Sequence, residues 1–510
     1  MNRPDKNPRV LIVTPEVAFL PPGMGNGSDY LTAKAGGLGD VSAALIQALY
    51  DQEADVHVAI PDYRTIFNGR LPKPLCRNLN DIKSILPGER LHLAVDRVFF
   101  YLGSVYSGGS VEALKKSLAF QREVINNIIP SVQPDLIHCH DWMTGLIPAA
   151  ARCMGIPCLF TVHNIHTFKC TLSDVEDRGI DCLPFWQALY LEHMPNTYEK
   201  ALATHQVDFL ASGIFGAHFV NIVSRTFLDE VIRGRHSFVS KQIRQELANK
   251  VSAGCATGIL NAPHPSYNPS TDRHLSQQYS AADQQTAKKL NKTALQRRLG
   301  LAENQAAPLF FWPSRLDNTQ KGCQLLADIL YTVVSRYWEN DLQIVFVADG
   351  PFSIHFKNIV DFHGFHHRVA VCDFDDALAR MAYGASDFIL MPSLYEPCGL
   401  PQMIAMIYGA LPVAHDTGGL HDTIRHLSVQ LDEGNGFLFE IFDSQGLLWA
   451  IDQAMGFYML PDSSRQAVIA RIMQESIACF NHAAAAEQYV QLYERMLQRP
   501  LLTDTCKAAV

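Results

Sequence analysis

No run in these 510 residues approaches the eighteen or so uninterrupted apolar residues of a membrane span, which excludes an integral membrane helix. Positive charge is also scarce. Forty-two Lys and Arg stand against 51 Asp and Glu, a formal net charge of −9 at pH 7. Phosphate backbones demand a basic surface, so nucleic acid is not the expected partner. The twelve cysteines are scattered, several in apolar segments (Cys158, Cys372, Cys479), which excludes a disulfide scaffold and reads as free thiols in a reducing compartment. There is no GxGxxG with an acid some twenty residues on, so a plain Rossmann dehydrogenase is excluded. No DxD-type acid cluster is placed for Mg²⁺. Internal repeats and low-complexity tracts are missing too. The N-terminal MNRPDKNPRVLIVTPEV has a short apolar run without a signal-peptide cleavage pattern, and a cytoplasmic enzyme is the expected placement.

What is present is an ordinary globular composition, 48% hydrophobic and 18% charged, on a chain long enough for two to four domains. Short apolar strands alternate with helical segments, the pattern of parallel α/β layers. The first series is Arg9 to Thr14, Val56 to Ile60, Leu91 to Val95, Leu136 to His138, Cys158 to Val162 and Phe219 to Val223. The second is Leu309 to Trp312, Gln343 to Val347, Val369 to Cys372, Phe388 to Met391 and Leu411 to Ala414. Between them the proline-rich NAPHPSYNPST, Asn261 to Thr271, blocks helix continuation and favours a linker. The expected organisation is an N-terminal α/β domain over 1–262, a second over 263–480, and a C-terminal helix in 481–510 packing back on the first. Two similar halves around a cleft is the architecture this suggests.

The richest stretch runs from Pro392 to Ile424. Glu396 follows an apolar strand, a helix-length segment (Pro401 to Gly409) comes next, and a second strand runs into Thr417-Gly418-Gly419, which opens another helix. Two strand-to-helix turns so close together put an acid and backbone N–H groups at the carboxyl edge of a sheet, where anions and ligands bind. Upstream, Arg315 and Lys321 follow the LFFW strand, two cations suited to neutralising a departing nucleotide diphosphate without a metal. In the first half, Lys34-Ala35-Gly36-Gly37-Leu38-Gly39-Asp40 is a glycine-rich turn before a helix, Val41 to Leu49. Lys34 suits phosphate, and Asp40 stands where it caps the helix or binds a sugar hydroxyl. His138 and His140 share a strand face with no CxxC or third ligand in register, which argues against zinc. Asp141 and Trp142 have two readings, a sugar platform or a helix cap beside a core aromatic. His163 is a sugar-facing group or a satisfied buried histidine, and Asn164 offers both donor and acceptor. The run His363 to His367 reads as a surface turn.

With those motifs together, the chain resembles the bacterial glycogen and starch synthases, retaining GT-B enzymes of glycosyltransferase family 5. KAGGLGDV, HCHDW, TVHN, GILNAPHPSYNPSTD and the EPCGLPQ, YGALP and TGGLHDT elements occur in the family's order over about 9 to 424. The resemblance implies two Rossmann-like domains facing a deep interdomain cleft, and transfer of glucose from ADP-glucose to the non-reducing end of an α-1,4-glucan with retention. It implies no metal. By that likeness Glu396, Arg315, Lys321 and His163 carry the catalysis. Lys34, Gly37, Asp40, Asn261, Cys398, Gly399, Leu400, Thr417, Gly418 and Gly419 bind the donor. Glu16, Asp141, Trp142 and Asn164 line the sugar and acceptor pocket. The chain departs from the family at Ala35 (a threonine there) and in IHTFK after TVHN. It departs again at Ala211, where a lysine is usual, at Asn261-Ala262-Pro263, at Phe374 for a tyrosine, and at Val347-Ala348-Asp349-Gly350. Some eleven residues are inserted between Glu16 and Lys34. Arg315 and Lys321 are six apart, where five is usual, which predicts that Lys321 is reached through a one-residue bulge.

Overall fold

The computed structural model describes residues 7–25, 28, 31–68, 90–106 and 108–502. Residues 26, 27, 29 and 30 of the inserted stretch lie outside these. The chain forms two compact units, Met1–Asn261 with His482–Val510, and Ala262–Asn481.

The first unit is built on a seven-stranded sheet whose named pairings are all parallel. Its strands are β1 (Arg9–Val13), β2 (Asp55–Pro61), β3 (Leu91–Ala94), β4 (Leu136–His140) and β5 (Cys158–Val162), with β8 (Phe219–Ile222) and β9 (Ala256–Gly258) beyond a small antiparallel pair, β6 (Lys169–Thr171) and β7 (Gln206–Asp208). The order is β3-β2-β1-β4-β5-β8-β9, so the winding reverses between β1 and β4. β4 and β5 are buried at every position, as strands covered on both faces must be.

The second unit repeats the plan with six parallel strands: β10 (Leu309–Trp312), β11 (Gln343–Val347), β12 (Val369–Cys372), β13 (Phe388–Met391), β14 (Leu411–His415) and β15 (Phe437–Phe439). Their order is β12-β11-β10-β13-β14-β15, reversing between β10 and β13. Side-chain alternation sorts β10 between two cores: Phe310 and Trp312 pack with Phe346 and Phe356, while Leu309 and Phe311 pack with Val345 and Tyr383. The strand positions expected from the apolar runs hold in both units. β9 and β15, only three residues each, extend the sheets beyond those expectations.

The helix His482–Leu497 belongs to the first unit. Tyr493 Oη lies 2.7 Å from His138 Nδ1, and Tyr489 Oη accepts from Asn221 Nδ2 at 3.0 Å. Both tyrosines are buried, so the end of the chain reaches the back of β4 and β8.

Candidate active site

Open α/β sheets bind ligands beyond the carboxyl ends of their strands, where the winding reverses. In the first unit that edge lies beyond β1 and β4. Glu16, three residues past β1 and 2% exposed, turns its carboxylate onto the glycine turn: Oε2 accepts from Ala35 N at 2.6 Å and Gly36 N at 2.9 Å. Burial raises its pKa, and those two backbone donors oppose the rise. Tyr106, which no motif pointed to, donates to Oε1 at 3.1 Å. The helix after the turn begins at Gly37, four residues earlier than its apolar pattern indicated. Asp40 does not cap it; Lys34 Nζ stands 2.7 Å from Asp40 Oδ2.

Asp141 follows β4 with φ +59° and ψ 176°, a region essentially reserved for glycine. Three donors hold it there. Oδ1 accepts from His163 N at 2.7 Å and Asn164 N at 3.4 Å, and Oδ2 accepts from Asn164 Nδ2 at 2.9 Å. Burial outweighs these bonds and lifts the carboxyl to about 7. The strand ends of β4 and β5 are thus tied through one strained acid. Behind it the imidazoles of His163 and His140 meet, Nε2 to Nδ1 at 2.9 Å, and the rings of His140 and His138 lie 4.1 Å apart, as residues sharing a strand face should. Burial holds His163 down at about 3 and the other two well below their ordinary value, so all three are neutral at physiological pH. His140 Nε2 is buried without a hydrogen-bond partner. Trp142 is buried against Phe168 and His166, and the side-chain oxygen of Asn261 is buried and unpartnered.

In the second unit the corresponding edge follows β10 and β13. Glu396 and Lys321, 7% and 9% exposed, form an ion pair of 2.5 Å. Ser393, three residues before the acid, donates to the same Oε2 at 3.1 Å. Lys321 is delivered by a tight loop in which Asp317 Oδ1 accepts from Thr319 N (2.9 Å), Gln320 N (2.6 Å) and Lys321 N (3.4 Å). Gly322 closes that loop at φ +68°, and a Cβ there would sit 2.0 Å from the carbonyl oxygen of Pro392. Arg315 is exposed.

Backbone packing joins the acid to the glycine turn after β14. Gly419 N donates to the carbonyl of Glu396 at 2.8 Å, and a Cβ on Gly419 would meet the Cys398 carbonyl at 2.0 Å. Thr417, Gly418 and Gly419 are buried, and one of their N–H groups is already committed to Glu396. Gly399 has φ +72°, and Leu400 precedes the helix Pro401–Ile407. Gln402, fully buried, donates to the carbonyls of Cys398 and Gly399 and fixes this turn. Tyr106 and Ser393 are the contributors the motifs did not single out, whereas Gln402 is the glutamine of the EPCGLPQ element. Of the first two only Ser393, three residues before Glu396 at a strand exit, left a readable trace. Among the described residues no group of three or more His, Cys, Asp or Glu is arranged to hold a metal ion. None of the helices among them is long and apolar enough to cross a membrane.

Two doubly wound parallel sheets, with acids, cations and glycine turns at the reversal edge of each, fit the GT-B glycosyltransferases. Sequence comparison agrees: residues 9–245 match the starch synthase catalytic domain, and residues 307–456 match the glycosyl transferases of group 1. The glycogen synthase of Exiguobacterium sibiricum is 31% identical over 499 residues, covering 90% of this chain and 95% of the relative. That of Moorella thermoacetica is 31% identical over 523 residues, covering 98% of each. The catalytic domain of starch synthase IV from Arabidopsis thaliana, solved with ADP and acarbose, superposes with a TM-score of 0.76 at 25% identity, covering 97% of this chain and 100% of that one. The protein belongs to the glycogen and starch synthase family and is a glycosyltransferase.

Proposed function

We propose that the protein transfers glucose from ADP-glucose to the non-reducing end of an α-1,4-glucan with retention of configuration. The observation that carries this reading is the buried Lys321–Glu396 pair at the reversal edge of the second sheet, a cation and an acid held at hydrogen-bond distance where a ligand binds. A protein that only bound glucan would have no use for a leaving-group cation there. The ADP and acarbose bound to the Arabidopsis relative support an adenine nucleotide and a glucan-like acceptor.

In this reading residues 1–262 form the acceptor and catalytic domain and 263–480 the nucleotide-sugar-binding domain. Arg315 and Lys321 hold the diphosphate and stabilise it as it leaves, in place of a metal ion. Thr417, Gly418 and Gly419, with Cys398, Gly399, Leu400 and Asn261, complete the donor site, and Lys34, Gly37 and Asp40 contact diphosphate and sugar. Glu16, Asp141, Trp142, His163 and Asn164 line the sugar and acceptor pocket, with His163, neutral, offering a hydrogen bond to a hydroxyl. The acceptor hydroxyl attacks the anomeric carbon on the face the diphosphate is leaving. The C1–O bond to phosphate breaks as the new C1–O bond forms, and the departing phosphate takes the acceptor's proton. Glu396 acts beside the reacting sugar. The described cysteines are free thiols, which supports a cytoplasmic setting.

A donor screen tests this. Purified protein and glycogen are incubated with ADP-, UDP- or GDP-glucose, with and without excess EDTA, and nucleotide release and glucan growth are followed. Growth with ADP-glucose that survives EDTA is expected. Turnover with another donor alone reassigns the nucleotide, a strict Mg²⁺ requirement overturns the Arg/Lys account, and glucan binding without turnover of any donor overturns catalysis.

A further inference from the structure

At the opposite edge of the second sheet, before the amino end of β13, lies a cavity of about 70 Å³. Asp387 enters β13 on this side and Glu396 leaves it on the other, so the cavity is separate from the candidate active site. Four cations line it, Lys288, Lys289, Lys292 and Arg465, against two carboxylates, Asp387 and Asp462.

Both acids are spoken for. Asp387 Oδ2 accepts from Lys292 Nζ at 2.6 Å and from Leu309 N at 2.8 Å. Asp462 is shared by Gln285 (2.8 Å), Lys289 (3.3 Å) and Arg465. Lys288, only 5% exposed, is left with two backbone carbonyls, Tyr408 at 2.9 Å and Gly384 at 3.4 Å. Burial pulls its ammonium down to about 7, although the charge of Asp387 opposes the fall. Arg465 lies over the ring of Tyr458, 4.5 Å from its centre, and its buried Nε has no acceptor. A buried cation whose hydrogen bonds go to no carboxylate and a buried N–H without an acceptor both cost free energy. One guest carrying negative charge and several acceptor oxygens answers both.

We propose that this cavity is a binding site for a phosphoryl dianion, either inorganic phosphate or the phosphate of a sugar monophosphate whose ring extends through the mouth. The mouth is where Lys289 and Asp462 reach solvent, their side chains 42% and 49% exposed. A tetrahedral dianion suits the excess of cations, and its oxygens can accept from Lys288 and from Arg465 together. The site is independent of donor chemistry.

Calorimetric titration of the full chain tests it, at fixed ionic strength and with saturating ADP so that diphosphate-binding groups elsewhere are occupied. Inorganic phosphate, glucose 1-phosphate and glucose are titrated into the native protein and into Arg465→Gln and Gln466→Glu. The second variant places a carboxylate on the cavity wall. Phosphate is expected to bind once per chain, glucose not at all, and each variant is expected to weaken phosphate about tenfold or more. Glucose 1-phosphate binding tighter than phosphate identifies a sugar phosphate as the guest; equal binding identifies the phosphoryl group alone. If Arg465→Gln does not fold, Gln466→Glu carries the test. No binding of either anion, or binding that the folded variants leave unchanged, overturns the proposal.

Discussion

Exchanging Asp141 for Asn isolates the cost of keeping a buried acid at the strand ends of the first unit. The carboxyl is 4% exposed and lifted to about 7 by burial, against an ordinary value of 3.8. The folded protein therefore holds a proton that the unfolded chain releases at lower pH. Stability falls as pH rises from about 4 to about 7, and the deficit is fully developed above that window. Asparagine has nothing to titrate. Between pH 5 and pH 8 the variant should gain on the native protein by about 2–3 kcal/mol, from those two values and the ~1.4 kcal/mol carried by each pH unit of differential protonation. A pH-independent offset runs the other way. The new amide brings an NH₂ against the Asn164 NH₂, whose own oxygen is engaged by His166 N at 2.7 Å, and that lost bond costs about 1–2 kcal/mol. Other titrating groups are common to both proteins and cancel in the comparison. Thermal melting of both at pH 5 and 8, followed through the first unit's transition, should show the relative midpoint moving by roughly 3–5 °C. A difference between variant and native protein that is the same at both pH values would refute the reasoning.

Three other outcomes are expected. Glu396→Ala should lower turnover by about 10²–10⁴-fold while ADP affinity, measured by calorimetry, moves less than about tenfold; a rate loss under tenfold would remove Glu396 from catalysis. Gly419→Ala must push its Cβ away from the Cys398 carbonyl and break the 2.8 Å bond to Glu396, so urea denaturation should report a loss of about 2–4 kcal/mol; an unchanged midpoint would show that this turn yields freely. Tyr493→Phe removes the hydroxyl that faces His138 Nδ1 and should cost about 1–3 kcal/mol, with faster hydrogen exchange along His482–Leu497; unchanged exchange would show that packing alone holds the helix.

Much of the second sheet was readable because β10 and β13 are fully buried apolar runs, β11 is one after Gln343, and the half-buried β12 is equally apolar. The same clarity located the exits after β10 and β13, and with them Lys321 and Glu396. β9 and β15 were not readable, since a three-residue strand gives neither period nor run. His138 and His140 could be placed on one face from their spacing, but their meeting with His163 depends on β5 lying beside β4 in a register that pairs His140 with Thr161. Tyr106 is ninety residues from Glu16 and only the fold brings it there. The backbone of Asp141 is the sharpest omission: nothing in HCHDW signals that its aspartate occupies a glycine conformation, because the bonds enforcing it come from another strand's end.

The return of the chain to the first unit has a consequence for synthesis. Ala262–Asn481 is contiguous, whereas the first unit lacks the buried Tyr489 and Tyr493 until the helix His482–Leu497 is made. At roughly 5–20 residues per second, the ribosome needs on the order of 10–40 s to deliver the second unit, and throughout that interval the backs of β4 and β8 stand without Tyr489 and Tyr493. The half of the protein that is translated second is thus the half that can be finished first, and the nascent first half must wait, uncapped, for the helix His482–Leu497.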